Sequence, residues 1–252
     1  EIALTLTAAG AETFTIYQGT EVLVENYAET TYVVGGLTPE TEYCFSAKSF
    51  NEVGESELSE EACATTYKEG TVVVEIGEGD GHTTYQSPVA DFYLYSVSQT
   101  IYTEEEIGVE AGSIVSVAYN KASGAHNTRN ISVYMKHTDM ATISAWDSLT
   151  SEDLCVYNGA YTFGAPGWNT IDLQEAFSYE GGNLLVCVVD NTAANASTYD
   201  NFYTYKPGAQ RAIYGQSSFT SVDPYNITIN SLPIYDNNYA LRSPQTKFVI
   251  EP

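Results

Sequence analysis

Two short stretches bring hard oxygen ligands close together. Asp190-Asn191-Thr192 closes the run NLLVCVVDNT, and Asn195 follows in the same loop. Glu78 and Asp80 sit among glycines in GEGDGH (77–82). Calcium takes about six to eight oxygens, often from loops that mix Asp, Glu, Asn and backbone carbonyls. Glu78, Asp80, Asp190 and Asn191 are therefore the candidate metal ligands, with Ca2+ as the structural cofactor. The same residues also suit plain Gly- and Asn-rich turns, and GEGDGH lacks EF-hand spacing. For Asp190-Asn191 two readings stand: a calcium corner, or a turn that caps the strand.

A second chemistry is sugar stacking. Sugar C–H faces pack on aromatic rings while neighbouring amides and carboxylates bond the hydroxyls. YDNFYTY (199–205) and DPYN (223–226) concentrate Tyr with Asp and Asn in segments that read as loops. Trp146 lies in a polar context, AWDS. The candidate ligand-binding set is Trp146, Tyr199, Asp200, Tyr203, Tyr225 and Asn226. Each Tyr alone reads as a half-buried strand residue; only the clustering points to a site. Trp168 precedes a strand and is expected in the core.

Catalytic signatures are missing. The chain has no G-x-S-x-G, no H-E-x-x-H, no phosphate-binding Gly-Lys-Ser/Thr and no dinucleotide fingerprint. Paired carboxylates could serve a glycosidase. Yet Glu104, Glu105 and Glu106 are adjacent and cannot share one cleft, and they suit a helix start. Nothing singles out Glu75 with Glu78, or Asp190 with Asp200. His82, His126 and His137 are scattered. No enzyme is expected.

The 252 residues carry 33 acidic and 9 basic side chains, a formal charge of −24. Phosphate backbones and anionic lipid surfaces would repel such a chain, so nucleic acid is excluded as a partner. Divalent cations and neutral glycans stay open. Arg129, Arg211 and Arg242 each adjoin a strand, where pairing with a carboxylate is expected. No run is apolar enough to span a bilayer. EIALTLTAAG has no basic leader region, so the chain reads as a piece of a longer parent with other domains.

The elements that position these residues are strands. There are 21 Tyr against 2 Trp, and Gly and Pro punctuate short alternating runs. Helical period is nearly absent: a turn or so near YTEEEIG (102–108), and MATISAWDSL (140–149). The fold class is all-β, with one sandwich over 1–67 and a second over 68–252. In WNTIDL and NLLVCVVD, Ile171, Leu173, Leu184, Val186 and Val188 are expected in the core. Strands are also expected over 67–76, 91–102, 113–120, 130–138, 154–159, 211–215 and 246–251.

Register settles one cysteine pair. Cys44 and Cys63 centre on the NEVGES turn, so they face each other across a hairpin. Cys44 neighbours inward Tyr43 and points outward, which predicts a surface disulfide. Cys155 and Cys187 centre on Ile171. They form a second candidate bridge only if WNTIDL lies in the opposite sheet; otherwise an intervening strand holds them beyond about 7 Å. Bridges imply an oxidising compartment.

GLTPETEYCFSAKSF, with Leu37 and Tyr43 flanking TPETE, resembles the tyrosine corner of fibronectin type III domains, over residues 1–66. The first strand of that fold is missing, and Leu6 stands where the family has a core Trp. SQTIYTEEEIGVEAGSI, RNISVYM, VYNG, GWNTIDL, FSYEGGNLLVCVVDNT and QRAIY resemble the adhesin-like jelly rolls of Bacteroidetes surface and secreted proteins, including the cleaved adhesin domains of gingipain-type proteins. The resemblance implies an immunoglobulin-like sandwich followed by a jelly roll on the bacterial outer surface. It also implies calcium-braced loops and a non-catalytic adhesion role, with a host or dietary glycan or glycoprotein as ligand. Asp147-Ser148-Leu149 resembles the short motif at which Bacteroidetes glycosylate exported proteins. A structural or protein-binding module of a larger surface assembly is the alternative, and a glycoside hydrolase or its accessory domain the second.

Overall fold

The computed structural model describes residues 1–236, 238 and 240–252. The chain is almost entirely antiparallel β structure and divides into two units, Glu1–Thr71 and Val72–Pro252.

Unit 1 holds β1 (Ile2–Thr5), β2 (Thr13–Gln18), β3 (Glu21–Tyr27), β4 (Thr31–Val34), β5 (Glu42–Asn51), β6 (Gly54–Glu55) and β7 (Ala62–Thr65). β1 pairs with β4; β3, β2 and β5 form the second sheet, with β6 and β7 both on β5. Alternation puts Ile2 and Val34 of one sheet against Phe45 of the other, and Leu6 against Phe14 and Ile16. The Tyr43 hydroxyl accepts a hydrogen bond from the Thr38 amide at 3.0 Å. Cys44 lies opposite Cys63 in the β5–β7 ladder, and the two are bonded.

Unit 2 contains β8 (Val72–Ile76), β9 (Thr83–Thr84), β10 (Tyr95–Tyr102), the one-turn α1 (Glu104–Ile107), β11 (Gly112–Ser123), β12 (Thr128–Thr138) and β13 (Leu154–Thr162). β14 (Gly167–Tyr179), β15 (Asn183–Asp190), β16 (Asn201–Tyr205), β17 (Ala212–Ser217), β18 (Leu232–Pro233), β19 (Ser243–Pro244) and β20 (Thr246–Glu251) follow. One sheet runs β13, β12, β15, β10, β17, β18. The other runs β19, β16, β11, β20, β8, with β14 on β11 and β9 on β16.

The main core lies between these sheets. Ile171, Val117 and Phe248 meet Ile131, Val133, Leu184, Val186 and Val188 there, with Leu173 packed at its edge. β15 is apolar on both faces. Leu185, Cys187 and Val189 point the other way, under a cover that includes Ile143, Trp146, Leu149 and Ile229. That cover corrects one expectation. Met140, Ile143, Trp146 and Leu149 recur every three residues, as a helix face would, but segment 140–149 is irregular. Its backbone bonds go outward instead: Gln99 brackets the Asp147 N–H and C=O, and the Ile143 N–H donates to Gln210 O.

Cys155 and Cys187 are free thiols, a second correction. WNTIDL does lie in the opposite sheet, as part of β14. However, β12 now separates the two cysteines, and Tyr134 is opposite both. Two strand spacings leave them about 9–10 Å apart.

Candidate functional site

Four aromatic side chains meet at one surface of unit 2. Tyr85 and Tyr199 have ring centroids 5.4 Å apart, Tyr199 and Phe92 5.8 Å, and Phe92 and Tyr93 5.4 Å. Tyr85, Tyr199 and Phe92 are 38%, 40% and 49% exposed. Aromatic groups this open, in contact with one another, form a ridge with accessible rings at its outer side. Beside it lies a cavity of about 420 Å³ that shares Tyr85 and includes His82, Gln86, Tyr235 and Asp236.

The ridge is assembled from two loops, the β9–β10 connection and the β15–β16 connection. Tyr85 follows β9, Phe92 and Tyr93 precede β10, and Tyr199 precedes β16. Each loop has a buried carboxylate beside an exposed ring: Asp91 next to Phe92, and Asp200 next to Tyr199. Asp91 is the clamp. Its carboxylate accepts the Asp200 N–H at 3.1 Å and the Asn127 amide at 2.8 Å, while its backbone carbonyl accepts the Ala196 N–H at 2.7 Å. Arg129 adds a second clasp. It pairs with Asp190 at 2.7 Å and also donates to Ala194 O and Tyr93 O.

Beneath Tyr199, Lys121 and Asp200 form an ion pair at 2.8 Å with neither side chain exposed. The Lys121 ammonium spends its hydrogens on the carbonyls of Ala125, Phe163 and Gly164. Asp200 is thus matched by a positive charge that three backbone carbonyls hold in place. Gly124 makes the approach possible. A Cβ there would stand 2.3 Å from Asp200 Oδ1, and its φ is +124°.

Three of the four metal-ligand candidates are committed elsewhere. Asp190 is buried, bound to Arg129 and accepting the Thr192 N–H, so it is a strand-end cap clasped by a guanidinium. The Asn191 amide spans Val222, donating to its carbonyl and accepting its N–H. Asp80 accepts two bonds from Arg242 and one from the His82 backbone N–H, with the His82 ring Nδ1 3.0 Å from the same carboxylate. Desolvation raises its pKa, but the Arg242 and His82 bonds outweigh that and hold the carboxyl well below the usual range. Glu78 is exposed. Among the described residues, no three His, Cys, Asp or Glu side chains stand together as a metal site. The geometry at Asp80 and Asp190 is that of a carboxylate already matched by arginine.

The sugar-site candidates divide. Tyr199 is on the ridge. Asp200 is fully buried, so it cannot touch a sugar, and is corrected to a support. Tyr203 lies in β16, paired with Thr83 of β9, so YDNFYTY is largely strand and not loop. Trp146 is half-buried over the sheet, its indole N–H donating to Ile229 O at 2.7 Å. Tyr225 and Asn226 are exposed, with Tyr225 edge-on to Tyr134. Neither has a ring contact with the ridge. Trp168 is half-buried, not core, with Lys247 over its ring. Ser148 is exposed and Leu149 buried.

The sequence reading missed Tyr85, Phe92, Tyr93, Asp91 and Lys121. A signal was present for Phe92 and Tyr93. Adjacent aromatics break the period of two, and β10 indeed starts only at Tyr95.

No family model matches the chain, and no curated protein matches it. Among solved structures, an α-L-rhamnosidase of Streptomyces avermitilis complexed with L-rhamnose is similar at 11% identity and a TM-score of 0.25. The match covers 95% of this chain and 24% of the rhamnosidase. A likeness at that score carries no argument here.

Proposed function

We propose that this protein is a non-catalytic binding module of a bacterial outer surface, and that unit 2 holds a host or dietary glycan on the Tyr85–Tyr199–Phe92 ridge. The observation that carries the reading is the ridge itself: exposed rings in mutual contact, seated on a buried, hydrogen-bonded base. Sugar faces are the natural neutral ligand for such rings, and an acidic chain disfavours anionic ones. The buried carboxylates beneath are supports held by cations or N–H donors and out of a ligand's reach, which fits binding better than acid–base chemistry. The Cys44–Cys63 bridge fits an extracellular location. The resemblance to fibronectin type III and adhesin-like jelly-roll domains points the same way, with unit 1 as spacer or protein contact. The bracing expected of calcium falls to Lys121, Arg129 and Arg242.

The test is a glycan and mucin array probed with and without EDTA. Saturable binding that survives EDTA is expected. Phe92→Ala should weaken it by about 30-fold, the loss of about 2 kcal/mol of aromatic contact. Absence of any saturable hit sinks the glycan reading, and loss of binding in EDTA restores the calcium one.

A further inference from the structure

The buried charges under the ridge do not balance. Asp91, Asp190 and Asp200 share the base with Lys121 and Arg129, and all five are buried. Arg129 is committed to Asp190 and Lys121 touches Asp200. Asp91 has only N–H donors, from Asn127 and the Asp200 backbone. With every group ionised, one negative charge stays uncompensated in a poorly solvated interior, which is costly. Exposed His126, in the turn after β11, is the remaining titratable neighbour and acts on Asp200. A proton on Asp91 makes the cluster neutral, and the second Asp91 oxygen still accepts the Asn127 and Asp200 donors.

We propose that Asp91 is the positioning residue of the ridge, and that a single proton taken up there locks the Phe92 loop onto the Tyr199 loop. Acid therefore closes the binding surface and rising pH loosens it. The inference rests on the ridge being the glycan surface, and names how that surface is regulated.

The titration of Asp91 agrees with the geometry. Burial lifts its pKa from 3.8 to about 6; the Asp200 charge adds to this, while the Asp200 N–H, the nearby Arg129 charge and the Asn127 amide oppose it without cancelling it. In an opened state Asp91 is solvated and returns to its ordinary value. The folded value is the raised one, so closure is fully favoured below about 3.8, and the gain is lost as pH rises through about 6. Between pH 7 and pH 5, linkage with these two values makes opening about tenfold rarer.

The experiment reads the ligand-free protein by amide hydrogen exchange. Protection of the Ala196 and Asp200 amides, corrected for intrinsic rates, should be about tenfold greater at pH 5 than at pH 7. Asp91→Asn should make it independent of pH. Should that variant not fold, a carboxyl NMR titration of the wild type replaces it, with a midpoint near 6 expected. Equal protection at both pH values, or a midpoint below about 4.5, overturns the proposal. A parallel arm measures binding to immobilised mucin. pH-dependent protection without mucin binding supports closure and defeats the glycan reading. Mucin binding with flat protection keeps the glycan reading and overturns closure.

Discussion

Replacing Lys121 by methionine tests the base of the ridge most directly. The substitution keeps the length of the side chain and removes its charge. Three carbonyls lose a donor, those of Ala125, Phe163 and Gly164, and Asp200 loses the cation 2.8 Å away. Breaking a fully buried pair by deleting one partner costs about 3–5 kcal/mol, because the other charge is stranded. For a unit the size of Val72–Pro252, each kcal/mol moves the melting temperature by about 2–4 °C, so the unit 2 transition should fall by about 6–20 °C. Burial raises the Asp200 pKa and Lys121 opposes it, so the variant raises it further. A raised folded value means stability is retained in acid and lost as pH rises through it. The deficit should therefore be smaller at pH 5 than at pH 8. Adding Asp200→Asn removes the stranded charge and should restore part of the loss. Scanning calorimetry of the three proteins at both pH values decides. A Lys121→Met transition within about 2 °C of wild type at pH 8 refutes the reasoning.

Further expectations follow from single contacts. Reducing Cys44–Cys63 should cost unit 1 about 3 kcal/mol through its loop of 19 residues, seen as a lower first transition with dithiothreitol. Gly124→Ala should destabilise unit 2 by more than about 1 kcal/mol, since its Cβ would strike Asp200 and its φ is +124°; unchanged denaturant unfolding counts against this. Without reductant, denatured protein should titrate as two thiols. Native Cys187 should resist alkylation at pH 8, because burial lifts its pKa to about 12.

The scaffold was legible because strands announce themselves by period. Val186 and Val188 face the main core and Leu185 and Cys187 the second, so β15 reads as an unbroken apolar run, and its strand assignment survived. The Cys44–Cys63 pair was legible because a hairpin fixes register from position alone. Cys155 and Cys187 were not, since they lie on strands that are neighbours in neither sequence nor ladder. Placing β12 between them is a matter of topology, which no local pattern encodes. The site failed for a related reason. Asp91 and Asp200 are 109 residues apart and meet through one backbone N–H. Neither looks different from a solvated loop Asp until the fold brings them together.

Scarcity of positive charge was the clue with the longest reach. Nine basic residues serve a chain of 33 acids. Arg129, Arg211 and Arg242 each find a carboxylate, on Asp190, Glu106 and the Asp80–Asp236 pair. Lys121 finds Asp200. Calcium and a fixed guanidinium solve the same problem, that of joining acidic loops without leaving their charge unmatched, but they differ in what they leave over. A divalent ion can balance two carboxylates. Lys121 and Arg129 bring one charge each to three buried carboxylates, so the remainder falls on Asp91. A loop junction braced by side-chain cations in this way trades a divalent ion's full charge balance for sensitivity to protons. That trade links the composition of this chain to the behaviour expected of its ridge.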